Sequence, residues 1–289
     1  MKYDIVEEFE KDGKLLALID GDFLTYSCGF ASDSSAKRWW DENVDSVPLI
    51  TADFVEIDGR TAYCESLATE ELKVLYWEPL DWCLNNVKKT ITTIMEESGA
   101  DDYVIFLTGK NNFRDKRATI LPYKGNRDGA HKPHWYKEIR EYLSVQHAAI
   151  TVDGYEADDA QSIMQLNPPD DWDTVICGVD KDLLQVEGKH YNWKKKEKIT
   201  VSQWQGEYNL AFQMLQGDTA DNIAGIYKLS GGKQKFTKAL KDMLGQHDLP
   251  LVGAMCVYEE VLGEEYADMW HENMDLLFML REEPTDVEI

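Results

Sequence analysis

The sequence contains no CxxC pair, and its five cysteines (Cys28, Cys64, Cys83, Cys177, Cys256) are odd in number and scattered, which excludes a disulfide framework and a structural zinc site. Long apolar runs are also missing. The longest near the start is Leu15 to Ile19, and the first ten residues carry Asp4, Glu7, Glu8 and Glu10 where an export leader needs basic and then apolar residues. A cytoplasmic protein with no membrane partner is the expectation. Internal repeats are absent, and positive charge is scarce: 30 Lys and Arg stand against 54 Asp and Glu, a net charge of −24. Taken whole, that balance opposes nucleic-acid binding, because phosphate contacts need cations.

What is present points elsewhere. With 289 residues, 43% hydrophobic and 11% aromatic, the chain is long and apolar enough for a folded core rather than a disordered polyelectrolyte. Its few cations are concentrated. Residues 110–140 hold nine basic residues against three acids, residues 189–198 five against one, and residues 225–241 five lysines against none. The three windows carry +15 of a net −24, so the remainder carries −39. A single basic run reads equally well as a solvated face. Three in so acidic a chain favour contacts to an anionic partner.

Four short apolar runs, Leu15 to Ile19, Tyr103 to Leu107, Ala148 to Val152 and Thr174 to Val179, read as buried strands. Leu84 to Met95 and Ala157 to Gln165 have helical spacing, so the chain reads as α/β, a mostly parallel sheet flanked by helices. Residues 33–78 fit this plan poorly and read as an insertion, with a hairpin over Val47 to Tyr63 turning at Asp58-Gly59. Beyond residue 200 the pattern turns helical over Trp204 to Leu215, Gln234 to Leu244, Gly253 to Leu262 and Glu265 to Leu280, with a frayed tail from Glu282. The implied division is a catalytic domain over 1–200 and a helical domain over 201–289.

The acids fall at telling places. Asp20 closes the first strand with Asp22 just beyond, Glu156, Asp158 and Asp159 follow the third, and Asp180 and Asp182 end the fourth. In a parallel sheet these carboxyl ends share one edge, where ligands bind. So many carboxylates need a compensating cation. Oxygen-only donors suit Mg²⁺ or Mn²⁺ rather than zinc. The competing reading for Asp158 and Asp159 is plain helix N-terminal capping. A fourth acidic element, Gly217-Asp218-Thr219-Ala220-Asp221-Asn222, lies in the helical region.

Ile19-Asp20-Gly21-Asp22, Asn112-Phe113-Arg114, Tyr123-Lys124-Gly125-Asn126-Arg127, Glu156-Ala157-Asp158-Asp159, Asp180-Lys181-Asp182 and Gly217-Asp218 with Asp221-Asn222-Ile223 occur in that order. Over residues 15–30 and 103–240 the chain thereby resembles the flap endonuclease and 5′-3′ exonuclease superfamily, most closely its phage and polymerase-associated members. The resemblance implies a PIN-like core, a helical arch over about 110–140 and a C-terminal helix-hairpin-helix region. It implies two Mg²⁺ ions, replaceable by Mn²⁺, the first held by Asp20, Glu156 and Asp158 and the second by Asp158, Asp180, Asp182 and Asp218, with Asp159 and Asp221 as outer ligands. Lys124 and Arg127 would grip the scissile phosphate. Arg114, Tyr123, Gly231, Gly232, Lys233 and Lys235 would contact DNA, Tyr123 with Trp135 and Tyr136 as faces for unpaired bases.

Two positions depart from the pattern. Gly109 stands where most members carry a further metal aspartate, a gap that Asp22 or Asp115 would fill if the site is complete without it. The hairpin glycines of residues 225–232 keep only part of the usual pattern, which weakens a K⁺ site there while leaving the Gly231 and Gly232 amides for a phosphate. The resulting expectation is a monomeric, phage-type enzyme cutting DNA at 5′ ends, flaps or nicks, or an RNA:DNA hybrid. Its rivals are an inactive branched-DNA-binding relative and a PIN-type ribonuclease.

Overall fold

The computed structural model describes residues 3–10, 13–43, 54–66, 72–127 and 129–284. The chain forms two compact units, the first of Met1–Asp20, Met95–Ala130 and Ile150–Ile289, the second of Gly21–Ile94 and His131–Ala149. Residues 201–289 thus belong to the same unit as the sheet, and the expected boundary at residue 200 does not coincide with a break in packing.

The first unit is built on a seven-stranded sheet. Its strands are β1 (Asp4–Val6), β2 (Lys14–Asp20), β6 (Asp102–Thr108), β7 (Ile150–Val152), β8 (Trp172–Cys177), β9 (Gly188–Asn192) and β10 (Glu197–Val201), in the order β1-β10-β9-β8-β2-β6-β7. From β9 to β7 all neighbours are parallel, while β10 and β1 add antiparallel at one edge. All four expected strands form, but the third covers only Ile150–Val152 and, lying at the edge of the sheet, is largely exposed rather than buried. In β2 five consecutive residues, Leu15 to Ile19, are buried, so the strand shows no polar alternation. Strands β9 and β10 were not expected: the lysine window 189–198 is a hairpin whose alternating pattern is hidden by its charges.

Helix α5 (Ala157–Leu166) packs on β2, β6 and β8 through Ala157, Ala160 and Ile163. After the sheet come α6 (Gln203–Gln216), the two-residue strands β11 (Gly217–Asp218) and β12 (Ile223–Ala224), then α7 (Ile226–Leu229), α8 (Lys238–Leu244), α9 (Pro250–Leu262) and α10 (Tyr266–Leu277). Ser202 caps α6 reciprocally with Gln205, and Tyr208, Leu210, Met214, Tyr258 and Trp270 fill the core of this helical layer. Only Lys238–Leu244 of the expected 234–244 helix is helical, because its cap is Thr237, whose side chain accepts from the Leu240 amide.

The second unit holds α1 (Gly21–Glu42), the antiparallel sheet β3 (Phe54–Ile57), β4 (Arg60–Ser66) and β5 (Leu72–Trp77), the start of α2 (Leu80–Ser98), and α4 (Tyr136–Gln146). Asp58 and Gly59 both take positive φ, 50° and 74°, as a tight hairpin turn requires. The expected insertion is corrected at both ends: residues 33–42 continue α1, and a third strand, β5, completes the sheet. The part of the expected hairpin over 47–53 lies outside the described residues, as does the tail 285–289. The expected arch over 110–140 is not one continuous helix. It consists of α3 (Phe113–Arg117), a 3-10 turn at Gly125–Arg127 and the start of α4.

Candidate active site

Asp20 ends β2, Asp180 and Asp182 follow β8, and Glu156 and Asp158 open α5 just after β7, so the parallel topology delivers all of them to one sheet edge. Their electrostatics record the convergence. Burial pushes the Asp158 carboxyl well above its ordinary range, and Asp20, Asp180 and Glu156 push it further. Asp182 is raised to about 7, first by burial and then by Asp180 and Asp218. These carboxylates repel one another, and burial of Asp158 and Asp182 adds to the cost of their charge, the condition a hard cation corrects.

Asp218 and Asp221 arrive on the β11–β12 turn. That turn depends on two glycines: a Cβ on Gly217 would fall 2.3 Å from the Gly225 amide nitrogen, and one on Gly225 would fall 2.1 Å from the Gln216 carbonyl oxygen. With the backbones this close, Asp218 Oδ1 accepts the Ala220 and Asp221 amides (2.7 and 3.1 Å), and Asp218 is buried. Lys181 Nζ lies 3.8 Å from Asp182 and 3.6 Å from Asp218, and Gln213 donates to Asp182 Oδ1. Neither Lys181 nor Gln213 stood out in the sequence.

The segment Tyr123–Arg127 clamps onto this turn. The Lys124 amide donates to the Asp221 carbonyl (2.9 Å), Asn126 Nδ2 to the Thr219 carbonyl (2.7 Å), Arg127 Nε to the Ala220 carbonyl (3.0 Å) and Asn222 Nδ2 to the Pro122 carbonyl (2.9 Å). Lys124 and Arg127 do share a side, but Lys124 sits at φ 52° before a 3-10 turn rather than on an α-helix. The Lys124 ammonium pairs with Glu156 and stands 3.9 Å from Asp221, while Arg127 Nη2 is 2.6 Å from Asp221 Oδ1. Burial works against the charge on Lys124, yet Glu156 and Asp221 hold it protonated above its ordinary range.

Four of the residues expected at DNA, Tyr123, Arg114, Gly231 and Gly232, make contacts inside the protein. Tyr123 is buried, and its hydroxyl donates toward Glu156 Oε2 (2.8 Å) with Asp221 Oδ2 at 3.1 Å, so its ring offers no face to an unpaired base. Arg114 is 3% exposed and spends its guanidinium internally, on Asp159 through two bonds (2.5 and 2.9 Å) and on the Leu276 and Phe278 carbonyls (both 2.9 Å). The Gly231 and Gly232 amides close the C-terminal end of α7, donating to the Lys228 and Tyr227 carbonyls, and so lie at the wrong end of a helix for a phosphate. Lys233 and Lys235 are exposed in the loop before α8. Trp135 donates its indole N–H to the Glu78 carbonyl.

Asp159 likewise takes a different part from that of outer metal ligand. Besides Arg114, its oxygens accept the Glu156 amide (3.0 Å) and the Leu280 amide (3.0 Å), which uses all four lone-pair directions. It is a keystone joining α3, α5 and the chain after α10. The spacing Glu156-x-x-Asp159 is that of a capping pair, a signal present in the sequence. At Gly109, a Cβ would lie 2.1 Å from Asp153 Oδ1 and 2.6 Å from the Val152 carbonyl oxygen. Asp153, overlooked in the sequence, accepts the Lys110 amide (2.7 Å) and fills the space an aspartate at 109 would need.

Among the described residues no three His, Cys, Asp or Glu side chains already enclose a metal-sized space. The donor set is nevertheless all oxygen, clustered and electrostatically strained, which fits Mg²⁺ or Mn²⁺, ions that keep several water ligands.

No protein-family model matches the chain, and no curated protein matches it by sequence. Its fold has solved counterparts. A bacteriophage T5 flap endonuclease, an aspartate-to-lysine variant in a pseudo-enzyme-product complex with DNA and metal ions, aligns with a TM-score of 0.50 and 15% identity over 92% of this chain and 89% of that one. A lysine-to-alanine variant of the T5 5′-exonuclease aligns with a TM-score of 0.52 and 14% identity over 93% and 88%. The chain therefore has the α/β fold of a 5′ nuclease.

Proposed function

We propose that this protein is a metal-dependent hydrolase of DNA, a 5′-3′ exonuclease and flap endonuclease of the phage type. The observation that carries the reading is the gathering of Asp20, Glu156, Asp158, Asp180, Asp182 and Asp218 from separate segments at one sheet edge, with the Asp158 and Asp182 carboxyls raised by burial and by the acids around them. Divalent cations held by Asp20, Glu156 and Asp158 and by Asp180, Asp182 and Asp218 would supply Lewis acidity and charge neutralisation at the scissile phosphate. Lys124 and Arg127 supply the organic cations. Both now face carboxylates of the same cluster, and ammonium and guanidinium groups bind phosphate oxygens as readily. A phosphate that draws Lys124 away leaves Glu156 free to meet a cation. Tyr123, buried and hydrogen-bonded to Glu156, orients that carboxylate. Arg114 and Asp159 act behind the site by fixing where α5 begins.

The test is cleavage of 5′- and 3′-labelled duplex, flap and RNA:DNA hybrid with Mg²⁺, Mn²⁺ or a chelator. Activity is expected to vanish with the chelator and in Asp180→Asn, which keeps size and removes charge. Wild-type rates from Asp180→Asn in excess Mg²⁺ would refute the two-metal reading.

A further inference from the structure

The carbonyls of a helix's last turn have no partner inside the helix. At the end of α10 those of Leu276 and Leu277 are taken up by two different elements, and the extended chain that follows keeps to the same division. On one side the Leu276 and Phe278 carbonyls accept Arg114 Nε and Nη2 (both 2.9 Å), and the Leu280 amide donates to Asp159 Oδ1 (3.0 Å). On the other the Leu277 carbonyl accepts Gln185 Nε2 (2.8 Å), the Met279 amide donates to Gln185 Oε1 (2.9 Å), and Arg281 Nη2 donates to the Gln185 carbonyl (3.2 Å). Even-numbered residues serve Arg114 and Asp159, odd-numbered ones Gln185, the alternation of an extended strap bonded along both edges. Met279 is buried in the same core as Leu183 and Tyr155.

Each edge of the strap belongs to a different group of site carboxylates. Asp159 accepts the Glu156 amide at the start of α5, where Glu156 and Asp158 lie. Gln185 ends the 3-10 turn Asp182–Gln185, and the Asp182 amide that opens this turn donates to Asp180 Oδ1 (2.9 Å). Gln185 is 1% exposed, and α6 closes on it from elsewhere: a Cβ on Gly206 would fall 2.5 Å from the Gln185 carbonyl oxygen. Two-metal hydrolysis needs its ions about 3.5–4 Å apart, a spacing set by the separation of the carboxylates that hold them. We propose that Gln185 is a positioning residue for this reaction, holding the Asp180–Asp182 segment at a fixed distance from Glu156 and Asp158 through the strap. The metals in this statement rest on the nuclease reading above; the two-edged bonding does not.

Full-length wild type and Gln185→Met, whose side chain has similar length but neither donor nor acceptor of that strength, are titrated with Mn²⁺ and followed by electron paramagnetic resonance, which separates a spin-coupled pair of ions from isolated ones. Wild type is expected to show the coupled pair. Gln185→Met should bind Mn²⁺ but lose the coupled spectrum, and its kcat on labelled flap DNA should fall about 10- to 100-fold with KM for DNA unchanged. A folded Gln185→Met with a lower melting temperature but the wild-type spectrum and kcat would make the residue merely structural and overturn the proposal. If Gln185→Met does not fold, Arg281→Ala, which removes the bond to the Gln185 carbonyl at the strap's end, takes its place: a weaker coupled signal with lower kcat supports the proposal, and wild-type values of both overturn it. Wild type without a coupled pair would sink the two-metal reading and this proposal together, whereas a wild-type pair that persists unchanged in the variant sinks this proposal alone.

Discussion

Arg114 and Asp159 show how a residue's burial changes the meaning of its charge. A buried, doubly hydrogen-bonded pair offsets its own desolvation, and removing one partner strands the other. Arg114→Met is therefore expected to destabilise the fold by about 3–5 kcal/mol in urea denaturation. An exposed DNA-contacting arginine would instead leave the urea midpoint unchanged and weaken binding. Asp33 offers a pH-linked counterpart. Burial raises its carboxyl to about 6 although the His134 amide donates to it, so the native state holds the proton more tightly than the unfolded chain. Its contribution is present below about pH 4 and is lost as pH rises through about 6. Asp33→Asn should be no more stable than wild type at pH 4 and more stable by up to about 2 kcal/mol at pH 7, discounted for partial exposure, as urea midpoints at the two pH values would report.

Among the elements, the β11–β12 turn is the least forgiving. A methyl group on Gly225 meets backbone that has nowhere to go, and Asp218 and Asp221 hang on that backbone. Gly225→Ala should cost about 1–3 kcal/mol by thermal denaturation and reduce cleavage more than that loss explains. The end of β6 behaves alike: Gly109→Asp, which the family pattern invites as a repair, must displace Asp153 and the Val152 carbonyl, and a lower melting temperature is expected in place of tighter metal binding. An unchanged melting temperature with a lower half-saturating Mg²⁺ would restore the view that the site merely lacks a ligand. The segment Tyr123–Arg127 was expected to act as part of an arch helix. As a 3-10 turn bonded to the 219–222 backbone it acts as a clamp, and Lys124→Ala should chiefly lower the single-turnover rate of flap cleavage.

Across the whole molecule the net charge of −24 and the proposed DNA substrate are reconciled by distribution. Exposed Lys233 and Lys235 lie in the loop before α8, and changing both to Ala should lower the slope of log affinity against log salt by up to about 2, without altering single-turnover cleavage at saturating protein. An unchanged slope would remove that loop from the interface.

The linear chain by itself determined the α/β class, four parallel strands and the set of acids at their ends, because an uninterrupted apolar run such as Leu15 to Ile19 has few places to go but a buried strand, and a strand end sets where the next acid lies. The Asp58-Gly59 turn was legible for the same local reason, a positive φ that few residue pairs accept. Only the tertiary structure decided which charges are spent. Arg114 and Asp159 are 45 residues apart, and although the Glu156-x-x-Asp159 spacing hints at a cap, nothing local marks Arg114 as its partner until α3 and α5 meet. The β9–β10 hairpin was hidden because strand pairing is a contact between segments, and its lysines masked the alternation that would have announced it. Gly109 is the sharpest case, since the space it leaves belongs to Asp153, brought there by the pairing of β6 with β7. Composition and spacing carry local free energies, whereas desolvation and steric exclusion depend on neighbours that chain order does not name.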